Sequence, residues 1–170
     1  MGKVMFITVG TGRERKDIAQ AIVQSIQNQN PDFVVFYCTQ KSNDETMPEI
    51  YALNNSLQAK STVEIIHNEN DLEQIKKEIG SSMAQYKKRY ESTTVDYTSG
   101  TKAMSAGIIV SAIENNCDYI SYITGTRDNQ GRVKTGTEKI NTFRPNQIYA
   151  TKYIELGKQF FNKYLFQAAI

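Results

Sequence analysis

Short apolar runs alternate with amphipathic stretches along most of the chain, and this alternation predicts its elements. Lys3 to Val9 is mostly apolar with β-branched residues and ends in Gly10-Thr11-Gly12, a strand followed by a turn. Helical periodicity then begins. Ile18, Ala21, Ile22, Ser25 and Ile26 share one face, and Glu14 and Asp17 lie near the positive end of the helix. Asn28-Gln29-Asn30-Pro31 stops it, because proline cannot continue a helix. Phe33 to Thr39 is apolar throughout and predicts a second strand covered on both faces. Strand, helix and strand in this order make a βαβ unit.

Gln40-Lys41-Ser42-Asn43-Asp44-Glu45-Thr46 reads as a polar loop, followed by a short helix from about Met47 to Asn54. Thr62 to His67 is the third predicted strand, and Asp71 to Tyr90 the longest helix. Its apolar positions Leu72, Ile75, Ile79, Met83 and Tyr86 recur in steps of three and four. Lys76, Lys77, Lys87, Lys88 and Arg89 form its solvated face rather than a nucleic-acid patch. Thr93 to Tyr97 predicts a fourth strand, Ala103 to Asn115 a helix with Met104, Ile108 and Ala112 at helical spacing, and Asp118 to Thr124 a fifth strand. Gly125 to Val133 holds turn chemistry between two strand-like pieces, and Lys139 to Phe143 completes the second, a β-hairpin. Pro145 ends it, and Gln147 to Phe166 reads as a final, aromatic helix with Tyr153, Leu156, Phe160 and Tyr164. The expected fold class is α/β: a Rossmann-like doubly wound, mainly parallel sheet with an appended β-hairpin and a C-terminal helix.

The chain has 170 residues, enough for one domain that buries a core without disulfide help. A formal net charge of +2 argues against a general binder of duplex nucleic acid, so any basic site is local. Cys38 and Cys117 are expected inside buried strands as small core residues of a cytoplasmic protein, since two cysteines imply no disulfide framework. There is no signal-peptide pattern, and no apolar run approaches the roughly 18 residues needed to span a membrane.

The candidate chemistry lies between the fourth strand and its helix. Thr98-Ser99-Gly100-Thr101-Lys102 is a tight polar loop that aims backbone N–H groups and the positive helix end at one point. Two Thr hydroxyls and a Ser hydroxyl add donors, Gly100 admits a ligand close to the backbone, and Lys102 adds a full charge. These are the parts of a phosphate site, and equally those of an ordinary capped strand–helix turn. In a doubly wound sheet with the first strand central, Gly10 to Arg13 and this loop flank one crevice. Other nucleotide motifs are missing. The spacing of a P-loop is absent, Arg15 stands where a dinucleotide fold has its third glycine, and Tyr37-Cys38-Thr39-Gln40 lacks the acidic residue that grips a ribose. No nicotinamide, flavin or other cofactor is expected, and no metal: His67, the only histidine, reads as a strand-end or surface residue.

Asp96-Tyr97-Thr98-Ser99-Gly100-Thr101-Lys102-Ala103-Met104-Ser105 resembles the D-[FY]-T-[GS]-G-T-K-x-M-[ST] signature of CARF domains, the CRISPR-associated Rossmann-fold sensors of type III CRISPR systems. Val4-Met5-Phe6-Ile7-Thr8-Val9-Gly10-Thr11-Gly12 is similar to the first strand and loop of the same family, so the resemblance covers about residues 3–145. It implies a sensor domain over 1–145, with 146–170 opening a linker or effector region; Phe160 to Ala169 resembles the first helix of such a region. It also implies a ligand, a cyclic oligoadenylate of four or six units lying across the two-fold axis of a homodimer. Carried over residue by residue, Thr98, Ser99, Gly100, Thr101 and Lys102 bind phosphate and ribose, and Met104 supports the loop or touches a base. Gly10, Thr11, Gly12 and Arg13 line the other side, with Thr39 and Gln40 near the adenine and Arg127 and Arg132 on the hairpin above.

Some CARF domains cleave their own ligand without metal, the ribose 2′-hydroxyl attacking the adjacent phosphate. Lys102, Thr11, Thr98 and Ser99 are the candidates to align that attack and stabilise its charge, although no general base is evident among them. The sensor that relays occupancy to a C-terminal effector and the ring nuclease need the same residues. A nucleotide-regulated transcription factor would need a winged-helix segment that the chain lacks.

Overall fold

The computed structural model describes residues 2–12, 15–127, 129, 133 and 136–165. Six strands form one sheet: β1 (Lys3–Val9), β2 (Phe33–Cys38), β3 (Ser61–Ile65), β4 (Ser92–Asp96), β5 (Tyr119–Thr124) and β6 (Lys139–Phe143). Their order is β3-β2-β1-β4-β5-β6. The first five run parallel, and β6 closes the edge antiparallel to β5, from Ile120 opposite Phe143 to Thr124 opposite Lys139. The chain thus moves outward from β1 through β2 to β3, then returns to the other side of β1. The strand order reverses between β1 and β4, which is where such sheets bind ligands.

The described residues form six α-helices, α1 (Arg15–Gln29), α2 (Gln40–Glu45), α3 (Met47–Leu53), α4 (Leu72–Lys87), α5 (Lys102–Glu114) and α6 (Asn146–Asn162), and a short 3-10 helix, Asn55–Ala59. Alternation along β1 serves both faces of the sheet. Met5, Ile7 and Val9 pack with Ile22 and Ile26 of α1 and Met47 and Ile50 of α3. Val4 and Phe6 face the other way, toward Ile75, Ile79 and Met83 of α4 and Met104, Ile108 and Ala112 of α5. Each fully buried side chain of this kind contributes about 1.5–3 kcal/mol, so the centre of the sheet is the stable part. The α1 face also takes Ala19 and Val23, which widens the predicted stripe, and Asn30 ends the helix at φ 47°.

Four expectations are corrected. The polar segment after β2 is helical: Thr39 caps it by accepting the Ser42 N–H at 3.0 Å, and Gln40 bonds Asp44 one turn on at 2.9 Å. Local polar bonds hold this helix, so no apolar stripe announces it. The longest described helix is α6, by one residue over α4, because α4 stops at Lys87 rather than Tyr90 and Asp71 sits outside it as its cap, accepting the Gln74 N–H. Leu72, at the start of α4, is exposed rather than part of its core stripe. Cys117 lies in the turn before β5 and not in a strand. Both cysteines are buried, and desolvation pushes the Cys38 thiol up to about 12 and the Cys117 thiol to about 11, as for inert core residues.

α6 leaves Tyr153, Ile154, Leu156 and Phe161 exposed, and Tyr164 and Leu165 after it as well. Residues 166–170, with the end of the predicted helix, lie outside the described residues. Among the described residues no helix is long and apolar enough to cross a membrane.

Candidate functional site

The loop between β4 and α5 is anchored from below by Asp96, which is 1% exposed at the end of β4. One carboxylate oxygen accepts the Thr98 N–H at 2.8 Å. The other accepts Ser25 Oγ from α1 and, at 3.2 Å, Ser121 Oγ from β5. A short acidic side chain at this point therefore joins the loop, a helix and the next strand. Thr98 Oγ1 accepts the Ile123 N–H at 2.9 Å, tying the loop to β5 a second time. The Thr8 hydroxyl donates to the Ser99 carbonyl. Gly100 then turns at φ 110°, a conformation that disfavours a side chain, where an added Cβ would lie 3.2 Å from Thr8 Cβ and 3.3 Å from Met104 Cβ.

The turn after β1 locks onto this loop. Gly10 N–H donates to Ser99 Oγ at 2.9 Å, and the Thr46 hydroxyl donates to the Gly10 carbonyl at 3.0 Å. A Cβ on Gly10 would come within 2.8 Å of Gly100 N, so the two backbones touch because neither residue carries a side chain. The two turns, 90 residues apart in the chain, form one surface over the carboxyl ends of β1 and β4.

Two cavities open on either side of that surface, and Gly10, Thr11 and Thr101 border both. One, of about 810 Å³, runs toward α1 and the hairpin; Gly12, Thr98, Ser99 and Gly100 line it with Asp17, Gln20 and Gln24 of α1 and with Arg127 and Glu138. The other, of about 650 Å³, lies over β2 and β3, with Thr39, Gln40, Lys41, Ile66, His67, Glu69 and Met104 in its wall. The structure thus brings together Gly10, Thr11, Gly12, Thr98, Ser99, Gly100 and Thr101, and places Thr39, Gln40 and Met104 next to them. Lys102 does not join them: it stands exposed at the first position of α5 and lines neither cavity. Arg13 and Arg132 lie outside the described residues.

The three loop hydroxyls differ in what they can still offer. Thr101 Oγ1 caps α5 by accepting the Met104 N–H at 3.1 Å and donates its proton to the Glu69 carbonyl at 2.7 Å. Its role is to hold the helix end in place, not to bind a phosphate oxygen. Thr98 and Ser99 each accept a bond, and each keeps a proton to give. The first N–H groups of α5 have no acceptor within the helix and complete an anion-binding end. Thr101→Val, which keeps the shape and loses both bonds, is expected to lower stability by about 1–2 kcal/mol. A urea titration measures this, and an unchanged midpoint would remove the cap from the account.

Sequence patterns did not single out Asp96, Thr46 or Thr8 as residues that shape the site. For Asp96 there was a signal, an acidic residue at the end of an apolar strand. For Thr46 and Thr8 there was none, since their partners are 36 and 91 residues away. The face of α1 with Gln20 and Gln24 was likewise invisible as a cavity wall. Among the described residues no three His, Cys, Asp or Glu side chains are grouped as a metal site requires.

Neither a protein-family model nor a curated protein sequence matches the chain. Solved structures do. Enterococcus italicus Csm6 bound to cyclic hexa-2′-fluoro-hexa-dAMP aligns with a TM-score of 0.68 at 15% identity, over 98% of this chain and 48% of that one. Can2 from Sulfobacillus thermosulfidooxidans, in complex with cyclic tetra-adenylate, aligns with a TM-score of 0.58 at 15% identity, over 72% of this chain and 32% of that one. A type III CRISPR defence DNA nuclease activated by cyclic oligoadenylate aligns at 0.55 and 12% identity, over 96% and 28%. The chain spans less than half the length of each of these proteins. Across that span this chain shares their fold, a Rossmann-like α/β architecture built on a mostly parallel sheet.

Proposed function

We propose that this chain is the cyclic oligoadenylate sensor of a type III CRISPR antiviral effector, cytoplasmic and homodimeric, with residues 1–145 as the sensor and 146–170 as the start of the linker or effector region. The observation that carries the reading is the contact of the two turns, Gly10 against Gly100 and Ser99, at the reversal point of the sheet. Donors from both turns and the amino end of α5 converge there on space large enough for nucleotides. The likeness to structures that hold cyclic hexa- and tetra-nucleotides supports a ring as the ligand. A ring with rotational symmetry suits two identical copies that each contribute the same loops.

In this reading Thr98, Ser99 and Gly100 bind phosphate and ribose, Gly10, Thr11 and Gly12 line the other side, and Lys102 at the head of α5 contributes its charge from outside the two cavities. Thr39 and Gln40 meet an adenine, Met104 supports the loop, and Thr101 fixes the helix end. The apolar side chains exposed on α6 support a partner surface there, for the effector region or a second copy.

The test is incubation with the four- and the six-membered ring separately. One of them is expected to coelute with a dimer and to raise the melting temperature. At a hundred times Kd mass action adds about 2.7 kcal/mol, roughly 5–10 °C for a chain of this length. If neither ring shifts the melting curve or coelutes, the reading is wrong.

A further inference from the structure

Cleavage of a bound ring needs a base for the attacking hydroxyl, and the described turn residues that line the cavities offer only hydroxyls and backbone amides. The second cavity contains an imidazole. His67 follows β3 and lines this cavity together with Thr11 and Lys41. Its Nδ1 lies 3.1 Å from Oε1 of Glu78, in the second turn of α4. Gln74, one turn earlier on that helix, donates its amide N–H to the same oxygen at 2.9 Å and so holds the carboxylate in place. The remaining oxygen, Glu78 Oε2, is buried and accepts no hydrogen bond from the described residues.

This arrangement fixes the chemistry of the ring. A carboxylate oxygen accepts and does not donate, so Nδ1 carries the hydrogen, and in the neutral ring Nε2 is the nitrogen with the lone pair. The Glu78 side chain sets the tautomer, turns the ring and faces the charge that forms when Nε2 takes a proton. An oxygen shut off from water with no donor of its own gains from that charge more than a solvated one would. Lys41 supplies the opposite need in the same cavity, a cation for a negatively charged phosphorus centre.

We propose that His67 is the catalytic base for cleavage of the bound ring and that Glu78 is its positioning residue; this rests on the cyclic oligoadenylate reading above. His67 Nε2 removes the proton of a ribose 2′-hydroxyl as the 2′-oxygen bonds to the adjacent phosphorus. The bond from phosphorus to the 5′-oxygen breaks, and that oxygen leaves with a proton from water. The products are a linear chain ending in a 2′,3′-cyclic phosphate and a protonated imidazole, which returns its proton to water. No oxidant, reductant or further reactant enters.

The test follows the ring and the melting curve together, for the full chain with each ring size. Wild type is expected to yield the linear 2′,3′-cyclic phosphate. His67→Ala is expected to lower the rate about a hundredfold or more while the ring still raises the melting temperature, and added imidazole should restore part of the rate. Glu78→Gln is expected to lower kcat about tenfold with KM unchanged, and imidazole should not rescue it. Two results overturn the proposal and leave the sensor intact: rings that bind wild type and are recovered whole, or His67→Ala cleaving at the wild-type rate. Rings that bind no variant and no wild type overturn the sensor reading and this proposal with it.

Discussion

Gly10→Ala is expected to weaken ring binding about a hundredfold, the scale on which an ångström of misplacement is felt at a positioned site. The new Cβ would lie 2.8 Å from Gly100 N, 3.0 Å from Gly100 Cα and 3.2 Å from Ser99 Oγ. Backbone cannot swing aside as a flexible side chain does, so the two turns must separate. Separation also stretches the bond from Gly10 N–H to Ser99 Oγ and the one from Thr46 to the Gly10 carbonyl. Overpacking of this kind costs about 1–3 kcal/mol. Gly80 in α4 is the control, because its nearest neighbour would be 3.6 Å from an added Cβ. There alanine is expected to be neutral or to stabilise by about 0.5–1 kcal/mol, as in any open helix position. Ring titrations followed by thermal shift compare the two variants. Wild-type affinity in Gly10→Ala would show that the contact of the turns has nothing to do with the ligand.

The largest loss of stability is expected for Asp96→Ala, about 3 kcal/mol, or a fall in melting temperature of roughly 6–12 °C. The side chain is buried and gathers one N–H and two hydroxyls from three separate elements. Alanine leaves the Thr98 N–H and the Ser25 hydroxyl facing a gap, and leaves the Ser121 hydroxyl only its 3.4 Å bond to the Val95 carbonyl. Asp96→Asn keeps one oxygen for the Thr98 N–H, and the two serine hydroxyls can rotate to accept from the new amide. It is therefore expected to cost about 1 kcal/mol. Ring binding should fall further in the alanine variant than in the asparagine one, since only alanine frees the loop. Chemical denaturation of both variants decides the point; equal midpoints for alanine and wild type would mean that Asp96 does not anchor the loop.

The strands and the larger helices were legible because the periodicities that reveal them are local. β1 spans the seven residues its apolar run predicts, β2 and β5 differ from expectation by one residue at one end, and β4 is shifted by one residue at both. The helix Gln40–Glu45 was not legible, since capping and side-chain bonds hold it while every residue is polar or small. The start of α4 shifted for a related reason: Asp71 acts as a cap, and the apolar pattern does not say on which side of the helix boundary a cap falls. In the site, the β4–α5 loop was readable from its Thr, Ser, Gly and Lys. The division of labour among its hydroxyls was not, because the Glu69 carbonyl that occupies Thr101 comes from another loop.

By itself the sequence determined the parts: five strands that must be buried, the turn after each, and one loop equipped for phosphate. It determined them because apolar spacing and turn chemistry act within a few residues. Only the tertiary structure decided which parts meet. The order β3-β2-β1-β4-β5-β6 puts β1 beside β4, and that alone presses Gly10 onto Gly100 and gives the two cavities a common wall. The path of the chain from β3 into α4 brings His67 to Glu78, 11 residues on. Neighbours in a parallel sheet are set by strand order and not by distance along the chain, so a pair such as Gly10 and Gly100 has no signature in local sequence.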